Sequence, residues 1–159
     1  MIKRLLPALS VAVLLAACAT TAPAPVSVAD TIARDPQLST LNGLVHKAGL
    51  TEQLKAAGPY TVFAPTNDAF AAVPAKTLAD LGNNPAQLKE VLSYHVLPAK
   101  LMAADVKTSN AKTAQGANLA LSKAGEFVTV EDAMVQTPDI VATNGVVHTV
   151  DRVLMPPRR

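Results

Sequence analysis

The chain has 159 residues, of which half are hydrophobic and only 3% aromatic, and its formal net charge is +2. Removing residues 1–17 would delete Lys3 and Arg4 and leave 12 basic against 12 acidic residues. A neutral chain without a concentrated basic surface is not expected to bind nucleic acid, because the phosphate backbone requires such a surface.

Residues 1–17 have the pattern of a secretory signal peptide. Lys3 and Arg4 precede an apolar run that ends in small residues, and this run is shorter than the roughly 20 residues that a membrane span needs. It ends in Leu-Ala-Ala followed by Cys18, which resembles a bacterial lipoprotein box, where the cysteine is acylated and becomes the new N-terminus. Cys18 is the only cysteine, so no disulfide within the chain competes with lipidation. The alternative is an accidental cysteine in a plain signal peptide.

The rest of the chain divides into a tether, a domain and a tail. Residues 18–26 comprise the lipidated cysteine and a flexible, proline-containing tether without charge. Ala19, rather than aspartate, follows Cys18, which favours the outer membrane over retention in the inner membrane. Residues 27–156 are long enough for one domain with its own core, and residues 157–159 form a short tail.

The first half of the domain is predicted to be mainly helical. Capping and stop residues such as Ser27, Asp35-Pro36, Gly49 and Asn84-Pro85 separate segments with apolar residues at helical spacing. The predicted helices are residues 28–33, a helix from Pro36 to Ala48, residues 51–55, a helix that Thr66 caps, a helix between Pro74 and Gly82, and a helix from Pro85 that carries His95 and ends before Pro98.

One strand interrupts the helical half. Residues 60–64 are β-branched and aromatic, and Pro65 then removes a donor and ends the strand. Thr66 suits a helix N-cap, and Asp68 lies in the first helical turn, where a carboxylate is favourable.

The second half is predicted to consist of short strands: residues 118–121, 127–130, 133–135, 140–142, 146–150 and 152–155. Gly, Asn, Asp and Pro separate them, and Asn144-Gly145 is typical of a tight hairpin turn with positive φ. Helices followed by strands indicate an α+β fold.

Two stretches and one dipeptide carry a family resemblance. Residues 60–70 (YTVFAPTNDAF) and 144–156 (NGVVHTVDRVLMP), with Tyr94-His95, resemble the paired signatures of the fasciclin-like domain. The resemblance implies a compact β-sandwich or wedge with helices packed on one side, over residues 27–156. It also implies a structural role, in which signature residues hold the two stretches together. These residues are Thr66, Asn67, Asp68, Phe70, Asn144, Gly145, His148 and Asp151.

The resemblance further implies a non-enzymatic adhesion function, in which Tyr94-His95 acts in recognition or only in folding. Asp139-Ile140 is similar to an integrin-contacting motif of animal relatives, and a solvated loop aspartate is the alternative that we favour. His95 shares a helical face with Leu88, Val91 and Leu92, which predicts a buried, hydrogen-bonded imidazole. The spacing of Tyr94, one position round the helix, predicts a side chain that is easier to replace.

The remaining histidines have structural and functional interpretations. His46 is predicted to lie at a helix C-terminus near the surface. His148 alternates with Val146 and Val150 and so shares their sheet face. His95, His148 and Asp68 are the candidates for a pocket. His148 could also act as a base or metal ligand with Asp68 or Asp151, and two histidines and a carboxylate could bind a metal, although none of these residues has ligand spacing.

Two main hypotheses follow. The leading one is a lipid-anchored cell-envelope adhesion module that binds protein or glycan at the surface, in the periplasm or in the extracellular matrix, without cofactor or metal. The alternative is a small-molecule-binding protein or hydrolase-like enzyme with a pocket around His95, His148 and Asp68. No nucleophile-elbow, phosphate-loop or metalloprotease motif occurs in the sequence. A third possibility is a structural envelope lipoprotein whose partner is another envelope protein.

Overall fold

A computed structural model describes residues 26–157, so the predicted signal peptide, Cys18 and most of the tether lie outside the described residues. The helices are α1 (Val28–Arg34), a 3₁₀ turn (Pro36–Leu38), α2 (Ser39–Lys47), α3 (Thr51–Lys55), α4 (Asn67–Ala71), α5 (Ala75–Asn83) and α6 (Pro85–Tyr94). The strands are β1 (Tyr60–Pro65), β2 (Val96–Leu97), β3 (Ser109–Lys112), β4 (Asn118–Ala124), β5 (Phe127–Val130), β6 (Ala133–Ala142) and β7 (Gly145–Val150).

All seven strands form one sheet in the order β2-β1-β7-β6-β5-β4-β3. β1 and β7 are its only parallel pair, and they run in register from Tyr60 beside Gly145 to Pro65 beside Val150. The other neighbours are antiparallel. At the far edge, the Ala114 amide donates to the Val96 carbonyl at 2.8 Å and thereby links the β3 end of the sheet to β2. The sheet therefore nearly closes on itself, as a wedge.

Two apolar clusters lie on the two faces of the β1–β7 pair. On one face, Val62, Ala64 and Val147 pack against the helices, and this first cluster holds buried residues of α1, α2, α3 and α6. On the other face, Phe63 and Val150 meet inward residues of β4, β5 and β6 in a second cluster. Alternate residues of β1 and β7 thus enter different clusters, because successive side chains of a strand point to opposite faces. This arrangement confirms the predicted α+β wedge with helices on one side.

Several helix boundaries form where the sequence predicts them. The side chains of Ser27, Asp35, Thr66 and Asn84 each accept a hydrogen bond from a backbone amide of the first turn that follows. Gly49 has a φ of +69° just after α2, which is the backbone conformation that favours glycine there. Gly82, by contrast, was predicted to end a helix and instead lies inside α5, which continues to Asn83.

Three predictions about strands and helix ends are wrong. Residues 133–135 and 140–142 belong to one strand, β6, which accommodates Pro138 between Thr137 and Ile140, where the register shifts. Residues 152–155 are not a strand. The segment predicted to be helical as far as Pro98 ends at Tyr94, and β2 follows His95. Strands β2 and β3 were not predicted from the sequence.

The β6–β7 hairpin is present, but its turn is one residue earlier than predicted. Ala142 pairs with Gly145, so the two turn residues are Thr143 and Asn144. Among the described residues, positive φ outside glycine occurs only at Glu131 and Asp139, so this turn does not use it. Gly145 is needed for another reason, since a side chain there would collide with the Tyr60 backbone on the neighbouring parallel strand.

Within residues 26–157, no helix has the length and the apolar character needed to cross a bilayer.

Candidate functional site: the paired signature stretches and two buried histidines

The first signature stretch fastens α4 to the preceding helices. The Thr66 hydroxyl caps α4 by accepting from the Ala69 amide at 3.4 Å. The Asn67 side chain accepts from the Thr40 amide at 3.0 Å and donates to the Pro36 carbonyl at 3.0 Å. Phe70 is buried in the first cluster. Asp68 lies in the first turn of α4 and is exposed.

Asn144, at the start of the second signature stretch, joins three elements. Its Oδ1 accepts from the Val28 amide at 2.8 Å, at the start of α1. Its Nδ2 donates to the carbonyls of Leu54 at 2.7 Å and Ala56 at 2.8 Å, at the end of α3. One side-chain amide therefore ties the hairpin turn to the start of α1 and to the end of α3.

Asp151, after β7, closes the other end of the hairpin. Its carboxylate accepts from the Met134 amide at 2.7 Å, and its own amide donates to the Met134 carbonyl at 3.1 Å. The Thr66 amide donates to the Val150 carbonyl at 3.2 Å, which extends the β1–β7 ladder to the α4 cap. The two signature stretches thus lie side by side in the sheet.

His95 is buried, with 1% of its surface exposed. Its Nδ1 lies 2.7 Å from the Val91 carbonyl, and its Nε2 accepts from the Leu154 amide at 2.9 Å. The neutral ring with its proton on Nδ1 satisfies both contacts, because one nitrogen then donates and the other accepts. Burial lowers the pKa of His95 to about 4, although the Val91 carbonyl opposes the shift.

His148 repeats this design on the other side of the sheet, where its ring stacks on Phe63 with centroids 5.6 Å apart. Its Nε2 lies 2.7 Å from the Leu101 carbonyl, and its Nδ1 accepts from the Asp139 amide at 3.0 Å. Burial lowers the pKa of His148, while the Leu101 carbonyl and the Asp139 carboxylate oppose the shift. The neutral ring, here with its proton on Nε2, again joins two backbone segments.

Asp139 is not the solvated loop residue that we favoured from the sequence. It lies in the irregular part of β6 with a φ of +58°, and its side chain is about one-third exposed. Its Oδ1 accepts from the Ala103 amide at 2.7 Å. The adjoining Ile140 is half-buried and packs against the first cluster. Both residues of the dipeptide thus contact the interior, and the Asp139 carboxylate is held by the Ala103 amide instead of being free for a partner.

Tyr94 is also more enclosed than its helical spacing predicted, since only 2% of its surface is exposed. Its hydroxyl lies 3.2 Å from both the Asn118 carbonyl and Oε1 of Glu131. Burial and then the Glu131 carboxylate raise the pKa of Tyr94 to about 12. The Glu131 carboxylate accepts a further hydrogen bond from the Ala120 amide at 2.8 Å. Tyr94 therefore ties α6 to β4 and to the β5–β6 turn.

The structure does not bring His95, His148 and Asp68 into one pocket. The His95 ring lies among residues of the first cluster, and the His148 ring stacks on Phe63 in the second. Asp68 is exposed at the start of α4. Across the described range, no three His, Cys, Asp or Glu side chains are grouped as metal ligands. His46, the third histidine, is exposed in the last turn of α2, with Nδ1 at 3.1 Å from the Thr51 hydroxyl.

Thr61 was not among the residues singled out from the sequence. Its hydroxyl donates to the Ala99 carbonyl at 2.6 Å and accepts from the Leu101 amide at 2.8 Å. Together with His148 and Asp139, it holds the segment between β2 and β3 against the sheet. The sequence showed only a threonine within an otherwise apolar strand.

A groove of about 1350 Å³ lies between the helices and the C-terminal segment. One wall comes from α4, α5 and α6, and the other from residues 152–157, so we call it the helix–tail groove. Apolar side chains such as Val73, Val153 and Met155 line it beside the charged side chains of Asp80 and Arg152. Neither buried histidine lines this groove.

The comparisons with known proteins agree with this architecture. The fasciclin domain family model matches residues 36–156. Protein sll1483 of Synechocystis sp. is 42% identical over 133 residues, which cover 82% of this chain and 74% of that protein. Immunogenic protein MPB70 of Mycobacterium bovis is 36% identical over 138 residues, which cover 84% of this chain and 69% of that protein. The chain therefore belongs to the fasciclin domain family.

Longer proteins also match. Transforming growth factor-beta-induced protein ig-h3 of Sus scrofa is 42% identical over 132 residues, but the chain spans only 19% of its length. Among solved structures, the domain pair of the insect cell adhesion molecule fasciclin I matches 82% of this chain and 51% of that one. The TM-score is 0.65 at 17% sequence identity, which supports the shared fold.

Proposed function

We propose that this chain is a non-enzymatic binding or adhesion module of a bacterial cell envelope, anchored by lipid on Cys18. Its partner would be a protein or glycan of the envelope, surface or matrix. The outer membrane is the favoured site of the anchor, with the domain in the periplasm or at the surface. Family membership and the match to the fold of a cell adhesion molecule support this proposal.

One observation carries the binding function. His95, His148 and Asp139 each form internal hydrogen bonds to backbone groups. A general base or a metal ligand needs a ring nitrogen or a carboxylate that faces a substrate-sized space, and the two histidine rings are buried instead. A large concavity lies elsewhere, in the helix–tail groove. Apolar side chains line it beside charged ones, and protein-binding surfaces combine an apolar core with a polar rim.

The partner surface can be tested by two matched substitutions at exposed apolar residues. Met155 lines the helix–tail groove and is 44% exposed, whereas Phe127 is 67% exposed on β5 and does not line it. We expect saturable binding of the mature protein to immobilised envelope material, weakened by Met155→Glu and unchanged by Phe127→Glu. Equal binding by the two variants, or no saturable binding by the parent protein, would contradict the proposal.

The anchor is tested separately from the binding. A Cys18→Ser variant should no longer incorporate radiolabelled palmitate and should accumulate as the unprocessed precursor. Normal processing and normal membrane fractionation of this variant would contradict lipidation. The parent protein, labelled in parallel, is the positive control.

A further inference from the structure

The point at which the chain enters the fold limits how the domain sits above an anchor. Val26 is the first described residue, and its carbonyl accepts from the Thr143 amide in the β6–β7 turn at 2.8 Å. Eight residues lead from Cys18 to Val26, and such a segment spans at most about 28 Å when fully extended. A lipid on Cys18 would therefore hold the β6–β7 turn close to the membrane surface.

Other parts of the chain surround this entry point. The Asn144 side chain donates to the Ala56 carbonyl at 2.8 Å, and the Tyr60 amide donates to the Asn144 carbonyl at 3.0 Å. The Asn144 carbonyl also lies so close to Gly58 that a side chain there would collide with it. Residues 56–59 thus meet the β6–β7 turn beside Val26, and we call this end of the domain, residues 56–59 and 141–144, the turn apex.

The surface of the turn apex carries no charged group. Residues 56–60 and 140–147 contain no Asp, Glu, Lys or Arg. Residues 56–59 and Thr143 are exposed, and Val141 is 61% exposed although it is a large apolar residue. The flanking charges are Lys55, Asp30 and Asp139. The Asp30 carboxylate accepts from the Ser27 hydroxyl, and the Asp139 carboxylate accepts from the Ala103 amide. An uncharged tip can rest against lipid headgroups without stripping water from ionised side chains, which would be costly.

We propose that the turn apex is the membrane-facing end of the domain and rests on the lipid surface when Cys18 is acylated. This proposal rests on the lipid anchor proposed above. Its consequence is an orientation, because β1 and β7 both run away from the apex. Each strand has six residues, a length of about 20 Å, and they end next to α4 and the C-terminal segment. The part of the helix–tail groove that α4 and the C-terminal segment line therefore lies at the end of these strands that is farther from the membrane.

The sequence allows a clean spectroscopic test because it contains no tryptophan. We would introduce one tryptophan by Ala57→Trp at the turn apex or by Ala86→Trp in the helix–tail groove, both at exposed alanines. The full lipidated proteins would be reconstituted into vesicles containing brominated phospholipid. Because both variants carry the same ring, its own affinity for the interface cancels in the comparison.

We expect brominated lipid to quench the Ala57→Trp protein several-fold more than the Ala86→Trp protein, and aqueous iodide to show the reverse order. Equal quenching of both variants would overturn the orientation. Protection of the Ala57→Trp ring from both quenchers would also overturn it, since the apex would then be covered by a second protein copy.

A second arm separates this proposal from the anchor itself. Residues 18–159, produced without lipid, would be coupled through Cys18 to vesicles that carry a maleimide lipid, and the same quenching would be measured. Failure of palmitate incorporation in cells would refute the natural anchor. The coupled protein would still show, through its quenching, which end of the domain faces the lipid. Equal quenching of the coupled variants would refute the membrane-facing apex even if palmitate incorporation succeeds.

Discussion

The burial of His95 makes a quantitative prediction about acid stability. The pKa of this histidine is lowered from its ordinary value of 6.5 to about 4, chiefly because burial disfavours the imidazolium. Protonation would also turn Nε2 into a donor facing the Leu154 amide, which is itself a donor. The folded domain therefore needs this ring neutral.

The sign and the size of the His95 contribution to stability follow from proton linkage. Between about pH 6.5 and pH 4, the unfolded chain binds a proton at His95 that the folded chain does not, so stability falls as the pH falls. Each unit of pKa difference corresponds to about 1.4 kcal/mol, so the whole shift corresponds to about 3 kcal/mol. This is a large part of the roughly 5–15 kcal/mol by which domains are usually stable.

Denaturant unfolding of the parent protein and of His95→Gln at several pH values isolates this contribution. Glutamine does not titrate, and its amide can still donate and accept. We expect the variant to be less stable by about 1–3 kcal/mol near neutral pH, because its hydrogen bonds are less well placed. The difference in free energy of unfolding between parent and variant should close or reverse as the pH falls towards about 4, where the parent has lost its His95 contribution.

The carboxylates of the domain also lose their charge in acid, and the comparison removes their contribution because both proteins share them. His46→Gln is the matched control, since His46 is exposed on α2, and its profile should follow that of the parent. A His95→Gln protein that loses stability in parallel with the parent across the whole pH range would refute the reasoning.

Three further predictions address hydrogen bonds and metal. Asn144→Ala removes three hydrogen bonds that join the hairpin turn to α1 and α3. It should lower the free energy of unfolding by about 2–4 kcal/mol, and a loss below about 1 kcal/mol would show that water replaces these bonds. Tyr94→Phe keeps the buried ring but loses the hydroxyl that contacts Asn118 and Glu131. It should lower the free energy of unfolding by about 1 kcal/mol, and Tyr60→Phe is the control. Thermal unfolding with and without a strong chelator should coincide, and a large drop in midpoint on chelation would revive the metal alternative.

The elements that the sequence predicted well are those that depend on local chemistry. Helix starts at Ser27, Thr66 and Asn84 require only a side-chain acceptor next to a helical segment. β1 was recognisable from its β-branched and aromatic residues. The predicted burial of His95 also held, because the apolar residues at helical spacing before it are buried too.

The elements that were missed depend on partners far away in the chain. β2 has two residues and β3 is a polar, largely exposed edge strand, so neither has a recognisable pattern. Residues 152–155 look like a strand, but the Leu154 amide bonds to the His95 ring instead of to a neighbouring strand. Pro138 suggested a break between strands, yet the register shift in β6 accommodates it.

The signature residues were recognisable from the sequence, but the contacts that they make were not. His148 and Asp139 are nine residues apart in sequence, and only the hairpin brings the Asp139 amide to Nδ1 of the ring. Gly145 was noticed as a turn residue, whereas its contact with the Tyr60 backbone depends on a parallel pairing across the length of the domain. No local pattern predicts such a pairing, because it joins strands that are far apart in the chain.

The internal hydrogen bonds of the signature residues indicate that recognition takes place elsewhere on the surface. Asn67, Asn144, His148 and Asp151 hold backbone segments together, so a change at any of them alters the fold before it alters a surface. Partner specificity in a binding module needs side chains that can change without unfolding the domain. Exposed residues of the helix–tail groove, such as Met155, meet that condition because they project from elements that the signature residues already fix. We therefore expect loss of binding with full retention of stability only from groove substitutions, and parallel loss of both from substitutions in the signatures.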